Sequence, residues 1–371
     1  MELTITILAF LVGFILVVLA IPPVIRVAHA KHLFDPVNER KIHNKVVPQL
    51  GGVAIFIAFC ITTIIVTDGI RFDELKYFIA STIIMFFIGL KDDLMDISAK
   101  KKLIVQLLAA YILVGMGDVR FTSLYGVFGI HEIGIFGSTL ISVFTVVVIV
   151  NAFNLIDGID GLASGLAILA SVLLGIWFFM AGFIAYAIMS FALVGSLTGF
   201  FIFNVFGIKN KLFMGDTGSL IVGLLIAGLI ISFNELNSSL SQGFPAVNAS
   251  PVISFALIIV PLIDTLRVMS IRIRDKRSPF SADKKHIHHM IFYFQKRHLV
   301  VSIILIFSNF IMFLLALGLN ETLLNVNYQF MILLTVGFIV SFIPSILIRF
   351  DKIKQSGELI KSRKWLVTRL F

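Results

Sequence analysis

The chain has little charge, almost no cysteine and little tryptophan. Asp, Glu, Lys and Arg make up 14% of its 371 residues, against about a quarter in an ordinary soluble domain. That scarcity excludes a water-exposed surface over most of the chain. Cys60 is the only cysteine, so neither an intrachain disulfide nor a thiolate metal site can be built. No low-complexity tract, internal repeat or separate soluble domain is evident.

Apolar residues are abundant, at 58% of the chain, and mean hydropathy is +1.03. A helix needs about 20 apolar residues to cross the hydrocarbon. Eleven runs approach or reach that length: 3–25, 50–67, 75–90, 102–117, 135–156, 162–180, 184–203, 218–234, 251–269, 298–318 and 329–349. Some are short or interrupted by glycine, so ten spans is the lower count. Continuous runs suit helices, whereas barrel strands would alternate. The expected fold is an all-α, polytopic integral membrane protein with 10–11 transmembrane helices.

Nearly all Lys and Arg fall in alternate connections, beginning near 26, 91, 151, 204, 270 and 350; the opposite loops hold only Arg71, Lys76 and Arg120. By the positive-inside rule the N-terminus is outside and the C-terminus cytoplasmic. Ala28-His29-Ala30 resembles a cleavage site, but no positive segment precedes the first run and Arg26 and Lys31 follow it, which reads as a retained anchor. The expected organisation is one membrane-embedded domain, 1–349, and a basic cytoplasmic tail, 350–371. Trp365, Leu366, Leu370 and Phe371 in that tail fit an interfacial amphipathic helix, and equally a solvated tail. The net charge of +9 is mostly this topology signal, with attraction to anionic lipid or an anionic substrate added; it does not call for nucleic acid. The outer loop 118–134 is glycine-rich, with alternating apolar residues that suit the outer leaflet.

Three acidic clusters border the runs on the inner side. The first is Asp92-Asp93-Leu94-Met95-Asp96. If helical, Asp92 and Asp96 share a face. Their mutual repulsion would be relieved by a hard divalent ion with phosphate oxygens; a solvated, topology-fixing loop is the plain alternative. Of Lys100, Lys101 and Lys102, the last opens an apolar run and is best placed to reach a phosphate as a point charge. The second cluster is Asn151–Gly161, with Asn154, Asp157 and Asp160. Ionisable groups at membrane depth point to function, although a glycine-rich turn would also use Asp and Asn. The third is Phe213-Met214-Gly215-Asp216-Thr217-Gly218-Ser219. There a helix start capped by Thr217 or Ser219 would favour anions beside Asp216, unless Asp216 is itself the cap. His286, His288 and His289 follow in a basic segment. Three histidines could bind zinc, but basic surroundings suit phosphates and sugar hydroxyls better, and a solvated loop is the bland reading. The first inner loop, with Asp35-Pro36, Arg40-Lys41, His43, Pro48 and Gly51-Gly52, is by itself an ordinary charged loop.

The four motifs, in this order and on one face, resemble the polyprenyl-phosphate N-acetylhexosamine-1-phosphate transferase family over nearly the whole chain. The resemblance implies a bacterial inner-membrane enzyme with a cytoplasmic active site. Its partners would be undecaprenyl phosphate and a UDP-N-acetylhexosamine, with UMP released, in the first membrane step of a cell-surface glycan. It implies Mg²⁺, with Mn²⁺ as an alternative, and it allows a homodimer. Carried over, Asp216 would ligate the metal with Asn154 as partner. Asp92 and Asp93 would lie at the lipid-phosphate end. Asp157 and Asp160 would order the metal site and contact nucleotide. Phe213 would stack on uracil, Lys102 would hold the pyrophosphate, and His286, His288 and His289 would contact phosphate or sugar. His286-Ile287-His288-His289 resembles the branch that uses UDP-N-acetylglucosamine. Direct attack by the lipid phosphate and a covalent aspartyl-phosphate both fit these residues. Two other functions compete. A membrane prenyltransferase would share the DDxxD pattern but leave 213–219 unexplained. A carboxylate-coupled transporter or flippase would be expected to show repeats and a midplane site.

Overall fold

The computed structural model describes residues 1–33, 47–240, 245–277 and 285–367, with side chains to Lys354. Each of the eleven apolar runs is helical. They form α1 (Glu2–Ala30), α2 (Gly51–Val66), α3 (Leu75–Leu94), α4 (Ala99–Tyr111, continued by a π turn, Ile112–Met116), α5 (Ile135–Ile156), α6 (Leu162–Met180), α7 (Ile184–Phe206), α8 (Gly215–Ser238), the pair α9 (Ser250–Leu257) and α10 (Ile259–Arg274), then α12 (His298–Asn320) and α13 (Val326–Val367). A short α11 (Ile287–Phe294) lies between. No named strand occurs among the described residues, only one antiparallel bridge between Ser123 and Glu132. Seven helices are long and apolar enough to cross a membrane, or eight if the bent α9–α10 pair is one span. The protein is therefore a multi-pass helical membrane protein.

The bundle is organised around α8. Every residue from Thr217 to Asn234 is buried, and α2, α3, α5, α6 and α9 pack on it. Such all-round burial requires α8 to be apolar on every face, and its small residues let neighbours approach closely. α1 and α7 pack together and flank α2.

The α9–α10 break turns the chain by 76°. Pro261, in the first turn of α10, has no N–H and clashes with the preceding turn. Polar backbone freed inside a membrane must find partners, and Asn309 of α12 supplies them. Its Oδ1 accepts from the Val260 N–H at 3.1 Å, and its Nδ2 donates to the Leu257 carbonyl at 2.8 Å.

The expected boundary at 349/350 falls inside a continuous helix, since α13 runs to Val367. Asp35, Pro36, Arg40, Lys41, His43, Leu370 and Phe371 lie outside the described residues, as do the side chains of Trp365 and Leu366.

Candidate active site

The N-terminus of α8 is the hub of the polar end. A helix start leaves N–H groups without intrahelical acceptors. No side chain of α8 itself caps them, contrary to the local capping expected of Thr217, Ser219 or Asp216. The cap arrives from α3. Asp93 Oδ1 accepts from the Asp216 N–H at 2.6 Å, and Asp93 Oδ2 accepts from the Thr217 N–H at 2.9 Å and the Thr217 hydroxyl at 2.5 Å. Gly215 makes this approach feasible. Its φ is +71°, and a Cβ there would stand 2.7 Å from Asp93 Oδ2. Residues 48–52 pair along the same start, with the Phe213 N–H donating to the Pro48 carbonyl at 2.8 Å and the Gly51 N–H to the Phe213 carbonyl at 2.9 Å.

Beside this cap lies a charged group drawn from four helices. Lys102 Nζ of α4 donates to Asp92 Oδ2 of α3 at 2.9 Å and also to Asp216 Oδ2 of α8. Asn154 Nδ2 of α5 donates to Asp216 Oδ1 at 2.8 Å and to Ser219 Oγ at 2.9 Å. Asp92 Oδ1 accepts from the Ile97 N–H at 2.8 Å. That bond turns the chain as α3 ends, with Met95 extended (φ −153°, ψ 111°). Asp92 and Asp96 therefore do not share a helical face, and Asp96 is exposed. Lys100 and Lys101 are also exposed, whereas Lys102 is drawn in.

Asp157 and Asp160, three residues apart, have different surroundings. Asp160 Oδ2 accepts from Lys211 Nζ at 2.6 Å and from His298 Nδ1 at 2.9 Å, and its backbone carbonyl accepts from Ser302 Oγ at 2.7 Å. Burial opposes its charge, but the hydrogen bonds from His298 and Lys211 outweigh it and hold the carboxyl below the usual carboxylate range. Asp157, at the end of α5, has no hydrogen-bond or ion-pair partner among the described residues. Burial pushes its carboxyl well up, and the charges of Asp216, Asp93 and Asp160 push it further. Phe213 is half-buried, and Lys211 Nζ lies 5.8 Å from its ring centre, linking this ring to Asp160.

The histidine segment is anchored from α10. Asp264 Oδ2 lies 2.8 Å from His286 Nδ1, while its Oδ1 accepts from Arg267 Nη2 at 2.7 Å and from the Ile287 N–H at 2.9 Å. Arg267 Nη2 also donates to the Lys285 carbonyl at 2.7 Å. His286 stands just before α11, as its N-cap residue. His288 is 1% exposed, packs on Gly158, and neither of its ring nitrogens has a partner among the described residues. Burial pushes it down to about 3, with the His289 charge adding to the effect.

The donor set suits a hard cation. It is made of oxygens, from Asp216, Asp157, Asp92 and the Asn154 carboxamide, and Asp157 has no cation partner among the described residues. No three His, Cys, Asp or Glu side chains among the described residues converge closely enough to hold an ion alone. Mg²⁺ usually takes only one or two carboxylates and completes its shell with water and phosphate, so these residues fit it. The ammonium of Lys102 lies between Asp92 and Asp216.

Lys211, His298, Asp264 and Arg267 are not singled out by the sequence reading. A signal did exist for two of them, because Asp264 and Arg267 are ionisable residues inside an apolar run. Lys211 and His298 lie 51 and 138 residues from Asp160, and no local pattern links them.

Fold and site together define a multi-pass helical membrane protein with charged side chains from four helices gathered at one end. The family model for glycosyl transferase family 4 matches residues 75–234. Similar curated proteins include the undecaprenyl-phosphate alpha-N-acetylglucosaminyl 1-phosphate transferases of Yersinia pestis, 32% identical over 70% of this chain and 69% of that protein, and of Escherichia coli K12, 33% identical over 72% and 71%. A probable undecaprenyl-phosphate N-acetylglucosaminyl 1-phosphate transferase of Bacillus subtilis is 31% identical over 85% of each chain. The chain belongs to glycosyl transferase family 4.

Proposed function

We propose that the protein transfers N-acetylglucosamine 1-phosphate from UDP-N-acetylglucosamine to undecaprenyl phosphate and releases UMP. The observation that carries this reading is the meeting of Asp92, Lys102, Asn154 and Asp216 at one end of the bundle. Names of the relatives specify the sugar and the lipid. A phosphorylated isoprenoid keeps its tail in the bilayer and its head at such an end, while a soluble nucleotide sugar arrives from water. With Lys and Arg concentrated on that side, the site faces the cytoplasm of a bacterial inner membrane. Of the predicted 10–11 spans, α2, α3 and α4 are the ones not both long and apolar enough to cross by composition alone; all three cross in this reading.

Joining two phosphate anions is mainly a problem of positioning and charge. An oxygen of the lipid phosphate attacks the β-phosphorus of the nucleotide sugar. A P–O bond forms there as the bond to the bridging oxygen breaks, and that oxygen leaves on UMP with the electron pair. Asp216 and Asn154, with Asp157 beside them, would hold Mg²⁺, which would supply positive charge at the diphosphate and the leaving oxygen. Lys102 places a positive charge on the diphosphate. Asp92 orients the lipid phosphate, and Asp93 acts through the α8 start that it caps. Both oxygens of Asp93 are occupied in that cap, which supports direct attack over an aspartyl intermediate. Phe213 stacks on uracil, and His286, His288 and His289 contact sugar or phosphate. Asp160 fixes the Asp157 turn against Lys211 and His298. All of these groups come from one chain.

The test is purified protein in lipid with radiolabelled UDP-N-acetylglucosamine, undecaprenyl phosphate and Mg²⁺. Labelled lipid and UMP should appear in equal amounts and vanish in excess chelator. Transfer of a prenyl group, movement of label without UMP, or full activity in chelator would overturn the reading.

A further inference from the structure

Lys102 occupies ground that the metal must share. Its ammonium bridges Asp92 Oδ2 at 2.9 Å and Asp216 Oδ2, and its side chain is only 13% exposed. The Asp92 side chain is similarly covered at 14%, but that of Asp216 keeps 33% of its surface open. The second Asp216 oxygen is held by Asn154 Nδ2. Lys102 thus shares Asp216 with Asn154, and Asp216 remains the most open of the three bridged groups. Asp92 holds the lysine independently through the other half of the bridge, so the ammonium keeps one anionic partner if it gives up Asp216.

From this geometry we propose that Lys102 is an internal counter-ion that competes with the divalent metal for Asp216. When the ion binds, Lys102 yields Asp216, remains tethered to Asp92 and becomes available to the incoming phosphate. This rests on the reading of Asp216 as a metal ligand, and it adds a two-position role for the lysine. A buried carboxylate without a cation is costly. The lysine therefore partners Asp216 before substrate arrives and lowers its affinity for metal alone. A polyanionic substrate attracts the ammonium and removes that competition, so metal and nucleotide bind with positive coupling.

The test uses the full chain in lipid nanodiscs, with Mn²⁺ as the probe and free Mn²⁺ followed by electron paramagnetic resonance. Without nucleotide, Lys102→Met should bind Mn²⁺ about tenfold more tightly than wild type, the size of a typical intersite coupling. The same variant at saturating metal should turn over more slowly, because the phosphate loses its cation. UDP should tighten Mn²⁺ binding to wild type, and this gain should largely disappear in Lys102→Met. Lys102→Arg keeps the charge and should not bind the metal more tightly. A merely structural bridge predicts the opposite sign, with metal affinity falling in Lys102→Met along with thermal stability. Unchanged or weaker Mn²⁺ binding in Lys102→Met overturns the proposal, as does equal tightening in Lys102→Arg. If Lys102→Met fails to fold, the Arg variant and the wild-type coupling between UDP and Mn²⁺ decide, and absence of that coupling overturns it. Failure of the underlying reading is separate, because Asp216→Asn would then still bind Mn²⁺ as wild type does.

Discussion

The two ends of α8 each hold a carboxylate on a net of backbone and hydroxyl donors, and they do opposite things. Asp93 sits at the start, where exposed N–H groups favour an anion. Glu235 sits near the finish, where the helix dipole disfavours one. Asp216 and Glu235 are 19 residues apart in sequence, about 28 Å along a helix, close to the hydrocarbon thickness of about 30 Å. At the far end, Glu235 accepts from the Thr122 N–H at 2.7 Å, from the Thr122 hydroxyl at 2.8 Å and from the Tyr125 hydroxyl. Burial pushes the Tyr125 phenol up, and the Glu235 charge adds to that. Asn327 of α13 clasps the same loop, accepting from the Phe128 N–H at 2.7 Å. That end is a closed account of neutral donors around one acid and serves to fix a loop. At the near end Asp157 has no hydrogen-bond or ion-pair partner among the described residues. An end built for architecture satisfies its groups internally; one built for chemistry leaves some for the ligand.

Substitutions at the two ends should separate these roles. Asp216→Asn should lower UMP release by about 10²–10³-fold, the usual loss when a group stabilising developing charge is removed. Asp160→Asn should destabilise the fold by about 3 kcal/mol, since it strands Lys211 and His298 beside a neutral group; thermal unfolding in detergent measures it. The sign with pH follows from the lowered carboxyl of Asp160. Its stabilisation is present above the ordinary carboxylate range and is lost as pH falls through the lowered folded value. The gap between wild type and Asp160→Asn should therefore close in acid. Asp93→Ala, which uncaps α8, should cost about 2 kcal/mol by the same measurement. Glu235→Gln should change turnover by less than about twofold and stability by about 0.5 kcal/mol, as the Glu235 net is partly exposed, while speeding proteolysis of loop 118–134. A large loss of turnover in Glu235→Gln would erase the contrast between the ends.

Much of this was readable before any coordinates. Hydropathy located every helix that α8 gathers, because burial in lipid leaves a continuous apolar signature. Lys102 stood out from Lys100 and Lys101 by its position at the edge of an apolar run. Partnerships across the bundle were hidden. Asp93 as the cap of α8 joins residues 123 apart, and no periodicity encodes such a distance. The i, i+4 spacing of Asp92 and Asp96 does not carry over, because the Ile97 N–H bonds to Asp92 and α3 ends at Leu94. Asp264 and Arg267 are masked in the sequence because an ion pair three residues apart hardly dents the mean hydropathy of its window.

The carboxamide of Asn309 carries one more consequence. By bonding both sides of the break before α10, it makes the corner a joint property of two distant stretches of chain. α10 holds the histidine segment through Asp264, and α12 reaches the Asp160 turn through His298. The histidine segment and the Asp160 turn are thus tied to one corner, and the Asn309 carboxamide is the pin that joins them.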